Sequence, residues 1–466
     1  MSNQFERITR RELLGSGGKT AAGIGLGIAA PGWMATGVHA ETTSHTRRRP
    51  VSPNEKVIIG LIGAGGMGTA NMHTLMGKSE VEVAAICDVD ASHLGKPAAD
   101  VEKKYGRAPK TFKDFRKLLE MKDVDGVIIG TPDHWHALPM IAACEAGKDV
   151  YCEKPISHDI VEGQAMVAAA KKFKRVVQVG TWQRSTDAFV NAVEYVRSGQ
   201  LGKISLCRAW TLGNANVGKG PSQTPPASLD YDFWVGPAAF EPYKPWRCHG
   251  NFRWYFNFAA GLTGDWGVHM IDIALLGMSK DQDLAMPSHV HSVGGKIICD
   301  PDDDRTAPDT QQTIYQFNKP DGSPDWLLQW EVRVGSGPNA QGIDLGPGHG
   351  TEFIGQNGRL MVWRNEWQVF TPDGTQIPRS IKVKSLSDHW QNWLDCIKSR
   401  EKPRSSIESM YQTTTVCHLA NVAYLTGEHV HWDNVKQTVT SPHSALNCIC
   451  YRREYRKPWT LPMHRV

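Results

Sequence analysis

Beyond its first forty residues the chain has no apolar run that approaches the roughly 20 residues needed to cross a bilayer. Its 10 cysteines contain no paired spacing of the zinc-binding kind. There is no internal repeat, so a solenoid is not expected. Charge bias is also nearly missing. Seven Lys/Arg against three acids in residues 1–50 account for the whole formal charge of +4, leaving residues 51–466 neutral. A neutral body lacks the basic footprint of a nucleic-acid binder. These absences leave an ordinary globular chain of 466 residues, long enough for two or three domains.

The N-terminus reads as an export signal over 1–40. Thr9-Arg10-Arg11-Glu12-Leu13-Leu14 has the form of a twin-arginine motif, a Gly/Ala-rich stretch covers 20–38, and Val38-His39-Ala40 offers a small-residue cleavage site. The alternative is a leader that contains Arg-Arg by chance. Export by this route implies a periplasmic mature chain that begins with a polar N-terminal arm, 41–55. Because such proteins fold before export, in a reducing compartment, free thiols are the default. Cys448-Ile-Cys450 is expected as a strand with alternating cysteines.

From 56 to 180 the pattern is that of an α/β Rossmann domain. Continuous apolar strands at 57–62, 81–87, 125–129, 149–152 and 176–179 alternate with helices at 67–76, 91–105, 135–146 and 160–173, the rhythm of a doubly wound parallel sheet. From 181 to 440 the chain reads as an α+β substrate and oligomerisation domain with a mainly antiparallel sheet. It has helices at 188–197, 264–277, 388–399 and 407–426 and strands at 204–210, 289–298, 310–317, 326–334, 351–354, 359–363 and 367–370. Residues 441–466 form a C-terminal extension. Its basic run 452–457 and the acidic run 300–304 are both expected to be solvated.

Gly63-Ala-Gly65-Gly66-Met67-Gly68 closes the first strand and opens the first helix. Glycines there permit a tight turn, approach of a pyrophosphate and close helix packing, and the helix N-terminus favours anions. Asp88, twenty residues on, suits the ribose hydroxyls and repels a 2′-phosphate, so NAD is preferred over NADP. Thr131, Pro132 and His136 follow the 125–129 strand at the ligand edge and are expected to line the nicotinamide half; a plain helix-entry turn is the alternative. His134-x-His136 has no evident third ligand, and no metal is assigned. Glu153-Lys154-Pro155 ends the next strand, placing an ammonium where it stabilises a developing alkoxide, with Glu153 holding it. Asp265, His269 and Asp272 share one face of a single predicted helix. His269 suits proton transfer, oriented by Asp265; a capped helix with a buried histidine is the bland alternative. Trp182, Arg184 and Trp266 are candidates to meet substrate.

Gly63–Gly68, Thr131-Pro132, Glu153-Lys154-Pro155 and Asp265-x-x-x-His269 together resemble the glucose–fructose oxidoreductase/inositol dehydrogenase (Gfo/Idh/MocA) family over 56–430. The resemblance implies Lys154 as catalytic lysine, with Asp265 and His269 as substrate-orienting and acid/base partners, and Glu153 and Lys154 beside the cofactor. It also implies a tightly held nicotinamide, a homodimer or homotetramer, and a sugar, polyol or glycoside substrate. Asp133 stands where the family commonly has Asn. The rival reading is an NAD-dependent redox glycosidase or lyase acting by C3 oxidation and elimination.

Overall fold

The computed structural model describes residues 55–213, 216–334, 348–364, 366–378 and 386–464. The export signal and all but the last residue of the arm lie outside these residues.

The first domain is a six-stranded parallel sheet. Its strands are β1 (Val57–Ile62), β2 (Val81–Cys87), β3 (Lys110–Phe112), β4 (Gly126–Ile129), β5 (Asp149–Cys152) and β6 (Val177–Val179), in the order β3-β2-β1-β4-β5-β6. All but the exposed edge strand β3 are mainly apolar because both faces are covered, by α1 (Gly66–Met76), α2 (Gly95–Tyr105), α3 (Phe115–Leu119), α4 (Ala137–Glu145) and α5 (Ile160–Phe173). The order reverses between β1 and β4, so the crevice at the carboxyl ends of these strands is the natural ligand site. Two predicted helices begin differently. Asp90 accepts from the Ser92 N–H and forms a separate turn ahead of α2, and Asp133–Trp135 is a tight turn ahead of α4. β3 and α3 are too short to show a period.

The second domain contains α6 (Asp187–Arg197), β7 (Ile204–Leu212), α7 (Tyr231–Val235), α8 (Gly261–Asp265), α9 (Gly267–Met278), β8 (His289–Gly295), β9 (Thr310–Asn318) and β10 (Pro324–Arg333). It continues through β11 (His349–Gly355), β12 (Gly358–Trp363), β13 (Glu366–Phe370), β14 (Gln376–Ile377), α10 (His389–Ser399), α11 (Ile407–Thr426), β15 (Val430–Asp433) and β16 (Thr438–Ser441). The ten strands form one sheet, β14-β13-β12-β11-β7-β10-β9-β8-β15-β16, antiparallel except where β7 pairs β10. Helices α6, α9 and α11 cover one face. Alternate positions of β9, such as Tyr315 and Phe317, are buried beneath them while Ile314 stays exposed.

Helix α10 packs against the first domain instead. Trp393, fully buried, meets Tyr151 of β5 at 5.8 Å between ring centroids. The predicted helix 264–277 breaks at Trp266. The extension is not a solvated tail. Arg453 is buried and donates to Glu162 (2.8 Å) and His134 O (2.6 Å), and Trp459 packs edge-on to Trp135. The acidic run is likewise partly committed, with Asp303 accepting from the Val217 and Gly218 N–H groups. Cys448 and Cys450 lie in a turn, not a strand. All ten cysteines are free thiols.

Candidate active site

The glycines after β1 are dictated by close approach. Gly63 has φ +89°, and a Cβ there would lie 2.6 Å from the Thr131 amide nitrogen. A Cβ on Gly68 would lie 2.0 Å from Gly63 O, so α1 can sit on β1 only with glycine at that position. Gly65 and Gly66, by contrast, face open space. No side chain caps α1, and its first turn carries no acid. Bare amide donors at an eleven-residue helix's N-terminus, beside a space any larger side chain would enter, fit a pyrophosphate.

This turn opens into a cavity of about 690 Å³ at the junction of the two domains. Gly63, Gly65, Gly66, Met67, Asp88, Thr131, Pro132, His136, Glu153, Lys154, Trp182, Asp265, Trp266 and His269 all line it; Gly68 supports the turn from behind, and Arg184 is not among the lining residues. Asp88 is held by two amides, Ala64 N–H to Oδ2 at 2.7 Å and Asp90 N–H to Oδ1 at 2.8 Å. Its carboxylate is thus tied to the glycine-rich turn, where an adenosine ribose would lie. The Thr131 hydroxyl is buried with no hydrogen-bond partner, which leaves one polar group for a ligand at the nicotinamide end. The buried ring of His136 spans two protein carbonyls, Pro155 O at 2.6 Å and Thr131 O at 2.9 Å. Burial lowers its pKa to about 4, so the neutral ring, with a single N–H, donates to one of these carbonyls and rests its other nitrogen against the second, between the ends of β4 and β5. His134 likewise spends Nε2 on Trp234 O.

Lys154 leaves β5 and crosses to the second domain. Its Nζ donates to Asp265 Oδ1 at 2.6 Å and to Asp265 O at 3.1 Å. The break at Trp266 turns Asp265 toward the lysine, so Asp265 does not orient His269 along a helical face as predicted. Glu153 does not hold the ammonium either. Its carboxylate accepts from the Lys154 backbone N–H at 3.2 Å and from Asn71 Nδ2 at 2.7 Å. Gly180 lies beside it, where a Cβ would come 2.7 Å from Oε1 and displace the carboxylate. Burial pushes the Asp265 carboxyl up, but Lys154 and Arg253 outweigh burial and hold it down at about 2. Burial, reinforced by Lys154 and Arg364, drives His269 well below the ordinary histidine range. Its ring is neutral, and its buried Nδ1 has no partner.

One predicted substrate contact fails. Arg184 is buried away from the cavity, donating to Asp272 at 2.8 and 2.5 Å, to Ser409 Oγ at 2.7 Å and to Arg404 O at 3.0 Å. Four of its five N–H donors are spent there, outside the cavity lining. Asp272 is spent on that arginine and on Thr413 at 2.7 Å, because α9 turns this face into the core. Other cavity residues had no motif to mark them: Arg253, with Nε 3.3 Å from Asp265, His249 and Arg364; Asp133, where the family commonly has Asn, lines it too. Burial pushes Asp133 up to about 7, against the pull of Arg253.

The fold and this junction define a two-domain dinucleotide-binding protein with an ionised lysine–aspartate pair between the domains. Residues 57–181 match the model described as the oxidoreductase family's NAD-binding Rossmann fold, and residues 203–297 match that family's C-terminal alpha/beta domain. The chain belongs to the Gfo/Idh/MocA oxidoreductase family. It is 34% identical to an inositol 2-dehydrogenase of Salmonella typhimurium over 146 residues, 31% of this chain and 42% of the relative. It is 34% identical to a levoglucosan dehydrogenase of Pseudarthrobacter phenanthrenivorans over 224 residues, 46% of this chain and 50% of the relative. The matches thus span about half of those relatives or less. Among solved structures, a levoglucosan dehydrogenase in complex with NADH superposes with TM-score 0.58 at 21% identity, covering 81% of this chain and 99% of that one. An aldose-aldose oxidoreductase from Caulobacter crescentus complexed with glycerol gives 0.59 at 18% identity, covering 81% and 100%. These two likenesses speak to the fold.

Proposed function

We propose that the protein is an NAD-dependent oxidoreductase that moves a hydride between nicotinamide and a hydroxyl-bearing carbon of a sugar, polyol or glycoside. The observation that carries this reading is the Lys154–Asp265 pair, set in the cavity that the glycine-rich turn also lines. A bound nicotinamide supplies the hydride acceptor. Gly63 to Gly68 hold the pyrophosphate, Asp88 the ribose, and Thr131 donates from its free hydroxyl. Asp88 favours NAD over NADP by repelling a 2′-phosphate. Lys154 Nζ, fixed by Asp265, donates to the substrate oxygen and stabilises negative charge as it develops. His269, neutral and without a protein partner at Nδ1, takes the hydroxyl proton. Trp182 and Trp266 offer faces to a sugar ring.

A second reading, redox-neutral cleavage of a glycoside through transient oxidation, draws on a relative named a glycosyl hydrolase family 109 protein from Stenotrophomonas maltophilia, 31% identical over 208 residues, 41% of this chain and 43% of the relative. One experiment separates the two: NAD-loaded protein is mixed with sugars, polyols and aryl glycosides while reduced-nicotinamide absorbance and released aglycone are followed. A lasting absorbance rise supports net oxidation. Aglycone release without a lasting rise supports the second reading, and neither signal counts against both. Export by the twin-arginine route and homo-oligomerisation belong to the same proposal.

A further inference from the structure

Arg364 follows β12 and enters the cavity between two indoles. Its guanidinium carbon lies 4.8 Å from the Trp182 ring centroid and 4.6 Å from that of Trp266. Its Nε is buried with no hydrogen-bond partner, and among the described residues no carboxylate lies within ion-pair distance of it. Arg184 and Arg453, by contrast, are each paired with a buried carboxylate, Asp272 and Glu162. A guanidinium fixed through its faces keeps its planar N–H edge free, the geometry that meets a carboxylate with two parallel hydrogen bonds.

The charge balance points the same way. Lys154, Arg253 and Arg364 all line this half of the cavity against the carboxylates of Asp265 and Glu153; Lys154 and Arg253 both address Asp265, and burial pushes the Glu153 carboxyl up. The imidazoles of His269 and His349 are neutral and add no compensating charge, and burial leaves Asp133 only half ionised near neutral pH. On the proposed reading, the oxidised nicotinamide ring brings a further positive charge, while its phosphates sit at the glycine-rich turn. An enclosed region with surplus positive charge and an unspent guanidinium favours a ligand that carries negative charge there.

We infer that Arg364, clamped between Trp182 and Trp266, is the carboxylate-binding element of the substrate site and that the substrate is an acidic sugar, a uronic or aldonic acid or a glycoside of one. This rests on the proposed oxidoreductase reading but is tested apart from it, by binding. Protein loaded with NADH, which blocks oxidation of the sugars, is titrated with D-glucuronate, D-galacturonate, D-glucose, D-galactose and glucose 6-phosphate, and the quench of tryptophan fluorescence is read while constant NADH absorbance confirms that none is reduced. The uronates should bind at least about tenfold more tightly than their neutral parents, and Arg364→Gln should remove that margin while moving neutral-sugar affinity by less than about twofold. Arg364→Lys, with charge but no fork, should recover part of it. Unchanged NADH affinity in each variant certifies an intact fold. Equal binding of acidic and neutral sugars, failure of either uronate to bind, or tighter binding of the phosphate would overturn the inference. Reduction of NAD by any sugar tests the oxidoreductase reading independently.

Discussion

Replacing Lys154 by Met keeps the length of the side chain and removes the ammonium that lies 2.6 Å from Asp265 Oδ1. The cost follows from the Asp265 carboxyl. Burial pushes it up, yet Lys154 and Arg253 bring it from the ordinary 3.8 to about 2. A carboxyl lowered by that much stabilises the fold by about 2 kcal/mol at neutral pH. The folded value lies below the unfolded one, so this stabilisation is present above pH 3.8 and is lost as pH falls through about 2. Lys154 supplies the larger attraction and Arg253, 3.3 Å away, the smaller. Without Lys154 the burial cost remains while most of the attraction is gone, so Lys154→Met should destabilise the cofactor-free protein by roughly 2–3 kcal/mol. Asp265→Asn alone leaves the lysine without its anion. The double variant removes both charges and should lose about 1–2 kcal/mol less than the two single losses added together. Urea unfolding of the four forms at neutral pH measures this. Losses that add to within about 0.5 kcal/mol would show that the pair is not coupled and refute the reasoning.

Three further outcomes follow from the geometry. Gly68→Ala puts a Cβ 2.0 Å from Gly63 O; it should raise the Kd for NADH by at least about tenfold by displacing α1 from β1, as read by isothermal titration. Arg184→Met leaves Asp272 buried without its cation; it should cost about 3–5 kcal/mol of stability in denaturant unfolding, with any surviving folded protein still binding NADH. Asp133, raised to about 7, holds its proton in the folded state where the unfolded chain does not, so it should erode stability as pH rises from about 4 to 7. Asp133→Asn should flatten that slope in melting temperatures taken across the window; an unchanged slope would mean the carboxyl titrates normally.

The first domain was legible because a parallel sheet buried on both faces writes itself as uninterrupted apolar runs, and because Gly63 and Gly68 are forced by contacts that only glycine permits. Helices α5 and α11 fall at the predicted 160–173 and 407–426. The site was legible in part. Lys154 and Asp265 were found, but the partner of each was misjudged. Spacing alone assumed one continuous helix through Asp265 and His269, whereas the break at Trp266 swings Asp265 to the lysine. Arg184 read as a substrate contact because an arginine in a loop looks the same in sequence whether it faces a ligand or, as here, the buried Asp272. The basic tail misled for the same reason, since Arg453 has its acid, Glu162, 291 positions away. Arg253 and Arg364 came from loops and strand ends that carry no period, and only the meeting of distant segments reveals them.

The most direct test of the central claim, that the lysine–aspartate junction is where hydride transfer is assisted, is a single-turnover comparison of wild type with Lys154→Met, each loaded with NAD and mixed with the best substrate of the panel. Wild type should form reduced nicotinamide. The variant should bind NADH with unchanged affinity yet form reduced nicotinamide about 10²–10³ times more slowly, the cost of losing one charge-stabilising donor. Equal rates in the two proteins, or no reduction by wild type with any sugar, polyol or glycoside, would contradict it.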